Sequence, residues 1–320
     1  MSDYTVKIDN IGKIDTLYSS SDGASVMINR HGCEVIGYRI TDRRRKENRE
    51  LGLMYRDSEA GPPERGWKNH ATILFPIVGG MKNDESKLGD TVVKSPGNHG
   101  VARNSEFELV ETTLGDSSRV KYRLEADSYT RKYYPFDFSL DVTYELVGSS
   151  LSVLFELLNP GKETIHASWG WHPGFRTPLI AGNGTKQDCR LLFPDGNITR
   201  YHNNEHCRLT GETSEVKTDG PLEWTEEGLE ATLMYAIDSP SMRRVTLEDP
   251  NAKVAIRVDF PDMPHLGFWS EPGDEFICIE PWQGMDDHEE QEPFDQKVGM
   301  VAIAPGEKKM SKVTVTPELL

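Results

Sequence analysis

The sequence has no segment that would direct the chain into or across a membrane. No apolar run approaches the ~20 residues that a transmembrane helix needs. The N-terminal stretch MSDYTVKIDNIGKIDTLYSS has no basic start followed by an apolar core, so no signal peptide is predicted. We therefore expect a cytoplasmic protein that does not bind membranes.

Cysteines and basic residues are both scarce. None of the four cysteines lies at CxxC spacing from another, so we expect free thiols in a reducing compartment rather than a zinc site or disulfides: Cys33, Cys189, Cys207 and Cys278. The 36 Lys and Arg are outnumbered by 52 Asp and Glu, and the formal net charge is −16. The basic stretch DRRRKENR at 42–49 is short and broken by acids. Nucleic-acid binding, which needs clustered cations, is not expected.

The motifs of several cofactor and hydrolase classes are also missing. GxGxxG, GxxxxGK[ST] and GxSxG do not occur, so nucleotide binding and serine-hydrolase chemistry lose their main sequence support. His202 and His206 lie four apart in HNNEH, but the Asn-Asn pair and the preceding PDGNITRY predict a loop rather than a metal-binding helix. The acidic stretch DDHEEQE at 286–292 is expected to be a solvated loop. No metal or other cofactor is predicted.

The sequence is rich in apolar residues that alternate with polar ones. The segment FDFSLDVTYELVG at 136–148 has this period of two, which is typical of a half-buried antiparallel strand. A Gly-Ser-Ser gap separates it from a second alternating segment at 151–159, which predicts a hairpin. Further strands are predicted at 24–30, 33–42, 118–127, 232–238, 243–249, 252–260 and 308–318.

Helical periodicity is almost absent, and short helices are expected only near 46–56 and in loops. Many strands separated by turns indicate an all-β protein. We expect a large antiparallel β-sandwich that forms a single domain over residues 1–320.

Three ionisable residues stand in unusual surroundings. His99 lies between Asn98 and Gly100, which suggests a tight loop that presents the ring, although a surface-turn histidine is the alternative. His172 follows a strand with Trp169 and Trp171 on its other face, and this strand is expected to end at His172-Pro-Gly. A histidine there suits a general acid, or else a hydrogen-bonded core residue.

Glu280 follows the apolar run Phe-Ile-Cys-Ile at 276–279, which predicts a strand covered on both faces. A carboxylate at the end of such a strand must be paired or used, because its burial is costly. The alternative is a partner for an arginine such as Arg103. Pro281 is expected to end the strand, and nearby tryptophans could stack on sugar rings or fill the core.

Four segments in order resemble the aldose 1-epimerase (galactose mutarotase-like) family. They are most similar to the branch with HGFAR, GxHPxF and EPWxG signatures: ILFPIVGG at 73–80, HGVAR at 99–103, GWHPGF at 170–175 and IEPWQG at 279–284. The resemblance spans about residues 25 to 310. Two positions depart from the pattern, since Val101 replaces an aromatic residue and Gly80 stands where many relatives have an arginine.

The resemblance implies a twisted β-sandwich that binds an aldose in a cleft and interconverts its α and β anomers. By position, Glu280 resembles the general base, His172 the general acid, and His99 a second histidine near the ring oxygen. A carboxylate whose pKa is raised by burial and a histidine near its reference pKa of ~6.5 both suit proton transfer at neutral pH. The expected substrate-binding residues are Arg103, Trp269, Trp282 and Gln283.

Two other functions remain open at this point. A hexose-6-phosphate mutarotase would need cations in the cleft, and the candidates are Arg103, Arg176, Lys82 and Arg65. A non-catalytic sugar-binding protein could share the scaffold. The expected partner is a small-molecule aldose, and the chain is expected to act as a monomer or homodimer.

Overall fold

Antiparallel strands are the main regular elements of the computed structural model, which describes residues 3–44, 48–57 and 66–320. The first twelve strands are β1 Tyr4–Lys7, β2 Ile14–Ser19, β3 Ala24–Asn29, β4 Glu34–Asp42, β5 Arg49–Gly52, β6 Ala71–Leu74, β7 Glu85–Leu88, β8 Thr91–Lys94, β9 Glu108–Leu114, β10 Ser118–Glu125, β11 Ser139–Val147 and β12 Ser150–Leu158. The next twelve are β13 Ile165–Ala167, β14 Trp169–Arg176, β15 Arg190–Leu192, β16 Asn197–Asn203, β17 Leu209–Lys217, β18 Leu233–Ala236, β19 Arg244–Asp249, β20 Val254–Asp259, β21 His265–Trp269, β22 Phe276–Gln283, β23 Val301–Ile303 and β24 Lys308–Leu319.

Helices in the described residues are short. The α-helix α1 spans Glu226–Glu230, and 3-10 turns occur at Lys82–Asp84, Ala102–Asn104, Thr130–Lys132, Lys186–Asp188, Pro240–Met242 and Phe294–Gln296. No helix in the described part of the chain is long and apolar enough to cross a membrane.

Two large sheets dominate the architecture. The first has eight strands in the order β15-β19-β20-β24-β12-β11-β10-β9, and the second has seven in the order β17-β16-β18-β21-β22-β14-β6. A five-stranded sheet, β1 to β5 in order, and two small ladders, β13-β23 and β7-β8, complete the set. The predicted all-β antiparallel sandwich is confirmed.

The alternating segments form strands because each can bury one face. In β11, the four residues Leu140, Val142, Tyr144 and Leu146 are fully buried, and β11 pairs with β12 through Val147↔Ser150, as the hairpin prediction required. The opposite face is less open than expected. Asp141 is buried there and accepts two hydrogen bonds from Arg123 on β10, at 2.6 and 2.7 Å.

The core lies between the two large sheets. Trp169 on β14 donates its indole N–H to Ser311 Oγ on β24, at 3.2 Å, and so connects the sheets. On β22, Ile277 and Ile279 belong to this core. Cys278, Glu280 and Trp282 alternate with them and lie on the other face of the sheet. The prediction of a strand covered on both faces is confirmed, since Phe276 to Trp282 are all buried.

Two predicted strand ends were wrong. Strand β14 continues past Pro173 to Arg176, and β22 continues past Pro281 to Gln283. Between these neighbours, the ladder runs from Trp169↔Gln283 to Gly170↔Trp282 and resumes only at Gly174↔Cys278. Both prolines lie in this gap, where the N–H that proline lacks is not needed by the ladder.

The helix expected near 46–56 was also wrong in its described part. Residues Arg49–Gly52 form β5, which pairs with β4. The start of that range, including Lys46, lies outside the described residues. Pairing with an existing strand satisfies the backbone of this short segment, whereas a helix of so few residues is marginal alone.

Candidate active site

A cavity of about 270 Å³ lies on the face of the seven-stranded sheet opposite the core. It is lined by six of the seven residues that the sequence singled out: His99, Arg103, His172, Trp269, Glu280 and Trp282. A larger cleft of about 600 Å³ lies beside α1 and contains none of them.

His172 and Glu280 are in direct contact at the cavity floor. His172 Nε2 lies 3.1 Å from Glu280 Oε2, and the two residues are only 5% and 1% exposed. Continuing the β14–β22 register through the gap places them opposite each other, and opposed side chains on antiparallel strands are close neighbours. The ring of Trp67 stacks on His172 at 4.8 Å, and that of Trp269 meets it edge-on at 5.8 Å.

Trp282 lies flat across the sheet because two neighbouring strands have glycines beneath it. A Cβ added at Gly170 would lie 2.7 Å from its Cδ1, and one added at Gly267 would lie 2.4 Å from its Cη2. Any larger residue at either position would displace the indole. These glycines therefore set the position of one wall of the cavity.

His99 is buried rather than exposed in a surface turn, with 9% of its surface accessible. Its backbone has a φ of +70°, and its N–H donates to Gly79 O at 2.6 Å. The Gly79 N–H donates to His99 Nδ1 at 3.0 Å. Because Nδ1 accepts, the neutral ring carries its proton on Nε2. The His99 and His172 rings are 5.1 Å apart and nearly perpendicular.

Burial shifts the pKa of all three residues. It lowers the pKa of His172 and His99 well below the usual value, and the nearby Arg103 charge lowers both further. Burial raises the pKa of Glu280 well above the usual value, with Asp286 adding to the rise and Arg103 opposing it. The expectation of a histidine near its reference pKa was therefore wrong.

Arg103 is carried into the cavity by the 3-10 turn Ala102–Asn104. Among the described residues, its guanidinium has no hydrogen-bond or ion-pair partner. Burial lowers its pKa, while Glu34 and Glu280 favour its charged form. Arg103 thus offers free donors to a bound molecule.

The structure does not bring Gln283 into this group. Its side-chain amide donates to Gly299 O at 2.7 Å, and it does not line the cavity. Gln283 is one residue from Trp282 on a strand, so its side chain takes the opposite face.

Of the four cations considered for phosphate binding, only Arg103 lines the cavity among the described residues. The Lys82 ammonium donates to Glu289 O. Arg176 lies at the end of β14 and is not part of the lining. Arg65 lies outside the described residues.

Sequence reasoning missed Asp286. The stretch 286–292 was expected to be solvated, yet Asp286 is 7% exposed and lines the cavity. Burial raises its pKa to about 6. Asp287 is also buried and pairs with Lys297. The burial of Asp286 could not be predicted locally because its hydrogen-bond partner is distant in sequence. The Gly80 N–H, which donates to Asp286 Oδ1 at 2.7 Å, is 206 positions away.

His99, His172 and Glu280 are also the one group of metal-type ligands found among the described residues. One ligand atom from each lies within 4.8 Å of the others, and two imidazoles with a carboxylate can hold a divalent ion. His202 and His206 do not form such a group. His202 Nε2 lies 2.8 Å from Ser214 Oγ on the neighbouring strand, and His206 is exposed.

The fold is a β-sandwich of the galactose mutarotase-like type, with a cavity on the outer face of one sheet. The aldose 1-epimerase family model matches residues 16–316. The chain belongs to this family, which confirms the resemblance. The plasmid and chromosomal forms of protein LacX from Lactococcus lactis are each 28% identical to it over 239 residues, which cover 68% of this chain and 75% of theirs.

Solved structures show the same architecture. A galactose mutarotase related enzyme from Lactobacillus acidophilus is 28% identical, with a TM-score of 0.81 over 93% of this chain and 95% of that one. A galactose mutarotase-like protein from Lactobacillus casei has a TM-score of 0.77 over 98% of this chain and all of that one. At 23% identity, the second likeness shows the fold alone.

Proposed function

We propose that this protein is an aldose 1-epimerase that interconverts the α and β anomers of an unphosphorylated aldohexose. The observation that supports this most is the buried contact between His172 Nε2 and Glu280 Oε2, at 3.1 Å, on the floor of a cavity of sugar size. An acid and a base in contact suit a reaction that moves one proton off the substrate and another onto it.

The proposed reaction begins with the singly protonated His172–Glu280 pair. With the proton on His172, Glu280 removes the proton of the anomeric O1 hydroxyl while His172 protonates the ring oxygen. The C1–O5 bond breaks and a C1 aldehyde forms. After rotation about C1–C2, the groups act in reverse and close the ring on the other face. Each cycle returns the pair to its starting protonation, so no cofactor is consumed.

His99 and Arg103 would stabilise charge during these steps. His99 presents an Nε2–H donor toward the ring oxygen. The Arg103 guanidinium favours the ionised form of Glu280. Trp269 and Trp282 would supply the apolar surface on which a sugar ring stacks.

The charge of the cavity favours a neutral sugar. Three carboxyl side chains line it, those of Glu271, Glu280 and Asp286, against the single cation Arg103 among the described residues. A phosphate group needs several cationic donors, since its charge is close to −2 at neutral pH. We therefore rank a hexose-6-phosphate mutarotase below a mutarotase of unphosphorylated sugars.

Polarimetry tests the proposal directly. We expect the protein to accelerate the change in optical rotation of freshly dissolved α-D-glucose or α-D-galactose. Replacing Glu280 with Gln keeps the shape of the side chain and removes the base, and should reduce the rate ~10²-fold or more. Glu230→Gln, on the exposed end of α1, is the matched control and should retain the full rate.

Other outcomes separate the alternatives. An unchanged rate in Glu280→Gln would contradict the assigned base. Acceleration restricted to hexose 6-phosphates would select the second candidate. Sugar-dependent quenching of tryptophan fluorescence without acceleration of any hexose would indicate a non-catalytic sugar-binding protein.

A further inference from the structure

The backbone of Gly79 and Gly80 links His99 to a charged pair outside the predicted motifs. On one side, two hydrogen bonds join Gly79 to His99. The Gly79 N–H donates to the ring nitrogen Nδ1 of His99, and the backbone N–H of His99 donates to the Gly79 carbonyl. On the other side, the Gly80 N–H donates to Asp286 Oδ1 at 2.7 Å. The His99 ring is thus held by a backbone segment that is itself held by Asp286.

Arg208 holds the same segment from a second direction. Its Nη1 donates to Gly80 O at 2.6 Å and its Nη2 to Met81 O at 3.0 Å. Its Nη1 also lies 4.0 Å from Asp286 Oδ1. The residue precedes β17, in the turn after β16, and is 128 positions from Gly80 in sequence. Side chains from two distant loops therefore converge on one short backbone segment, Gly79 to Met81.

The segment approaches these partners closely because both residues are glycines, and at Gly79 the positive φ also favours glycine. Gly79 has a φ of +64°, and a Cβ there would lie 2.0 Å from Asp286 Oδ1. A Cβ at Gly80 would lie 2.6 Å from Asn98 Oδ1 and 3.0 Å from Arg208 Nη1. In this chain the guanidinium of Arg208 occupies the space beside Gly80.

We propose that Asp286 and Arg208 are positioning residues that fix the Gly79–Gly80 segment, and through it hold His99 as the Nε2–H tautomer directed into the cavity. A backbone N–H aimed at Nδ1 excludes the other neutral tautomer, which would place two donors face to face. Asp286 accepts a hydrogen bond from the Gly80 N–H, and Arg208 donates hydrogen bonds to the carbonyls of Gly80 and Met81. Neither needs to touch the sugar.

This inference rests on the proposed function for its kinetic consequence, but not for its structural one. Nitrogen-15 NMR of the ligand-free protein reports the tautomer of each imidazole, and His99→Gln assigns the His99 signals by their loss. The wild-type protein should show His99 as the Nε2–H tautomer whether or not the chain is a mutarotase.

The decisive comparison is between two substitutions at position 286. Asp286→Ala removes the acceptor of the Gly80 N–H, whereas Asp286→Asn retains a carbonyl oxygen in its place. We expect Asp286→Ala to give mixed His99 tautomers and a pH-independent kcat reduced about 10-fold, equivalent to about 1.4 kcal/mol, with KM little changed. Asp286→Asn should keep the wild-type tautomer and most of kcat.

Substitutions at position 208 provide the second test. Arg208→Ala should reproduce the effect of Asp286→Ala. Arg208→Lys should restore part of it, since an ammonium keeps the charge but lacks the two separate nitrogens with which the guanidinium reaches the two carbonyls. Arg190→Ala, an exposed arginine on β15 that pairs with Glu248, is the control and should match the wild type. If Arg208→Ala does not fold, Arg208→Lys and the pair at 286 still decide the question.

Two results would overturn the inference. One is an unchanged His99 tautomer in folded Asp286→Ala, with the tautomer of Arg208→Ala, where that variant folds, unchanged as well. The other is an equal loss of kcat in Asp286→Ala and Asp286→Asn, which would show that the charge of residue 286, and not the hydrogen bond, matters. If the wild-type protein has no mutarotase activity but shows the expected tautomer pattern, the proposed function is rejected and the positioning role of Asp286 and Arg208 still holds.

Discussion

Gly267→Ala should destabilise the protein by forcing Trp282 out of position. The added Cβ would lie 2.4, 2.6 and 3.0 Å from three atoms of the indole ring, all well inside normal contact distance. Trp282 is 1% exposed, so the ring can yield only toward the cavity that it lines, and in doing so it loses its packing contacts. Overpacking of this kind costs about 1–3 kcal/mol.

The effect can be separated from the general consequence of replacing glycine with alanine. Gly220→Ala is the matched control, because a Cβ there meets no atom within 4 Å and the backbone has no positive φ. It should be neutral or stabilise by about 0.4–1 kcal/mol through the unfolded chain. With roughly 2 °C of Tm per kcal/mol in a protein of this size, the two variants should melt roughly 2–8 °C apart.

Thermal unfolding followed by near-ultraviolet circular dichroism measures this difference, and the tryptophan signal reports whether the indole has moved. Sugar-dependent fluorescence of Gly267→Ala, measured well below its Tm, then tests whether the displaced ring weakens binding. If both glycine variants melt within roughly 1 °C of each other, Trp282 is not tightly held and the reasoning is wrong.

Three further predictions concern the charge and composition of the cavity. The rate of mutarotation should be bell-shaped in pH, because only the singly protonated pair contains both an acid and a base. It should be lost as pH falls through the lowered pKa of His172 and as it rises through the raised pKa of Glu280; a rate that falls on only one side, or on neither, over the whole pH range in which the protein stays folded would refute this. Asp286→Asn should shift the alkaline limb to lower pH, since the Asp286 charge raises the pKa of Glu280; a shift to higher pH would contradict the sign. Dialysis against EDTA should leave the rate unchanged despite the ligand-type grouping of His99, His172 and Glu280, whereas a loss restored by Zn²⁺ would establish a metal enzyme.

Much of the fold follows from local pattern. Period-two segments such as 136–148 and 308–318 became strands close to the predicted bounds, because a half-buried strand needs only its own alternation and a turn at each end. The strand ends at Pro173 and Pro281 could not be predicted in this way. Proline is tolerated there because the neighbouring ladder is interrupted, and that depends on a strand about one hundred residues away.

In the candidate active site, too, the residues in local motifs could be predicted and those that depend on distant contacts could not. The motifs identified His99, His172 and Glu280, and simple alternation along β22 would have removed Gln283 from the list, since it faces away from Glu280 and Trp282. Asp286 could not be recognised, because an acidic run is normally solvated and its burial depends on distant partners. The apolar run before Glu280 did predict the raised pKa of its carboxyl, whereas the lowered pKa of His172 depends on the burial of a ring that the local sequence leaves open.

The register of β14 against β22 explains why two residues from separate motifs meet. His172 and Glu280 stand opposite each other in the centre of the ladder gap, between two pairs that hold the strands on either side, Gly170↔Trp282 and Gly174↔Cys278. Because side chains alternate, a slip of one residue would turn Glu280 into the sandwich core and bring Ile279 to the cavity. The paired ends of the ladder therefore fix the acid–base contact, while the gap removes the backbone hydrogen bonds that the prolines could not supply.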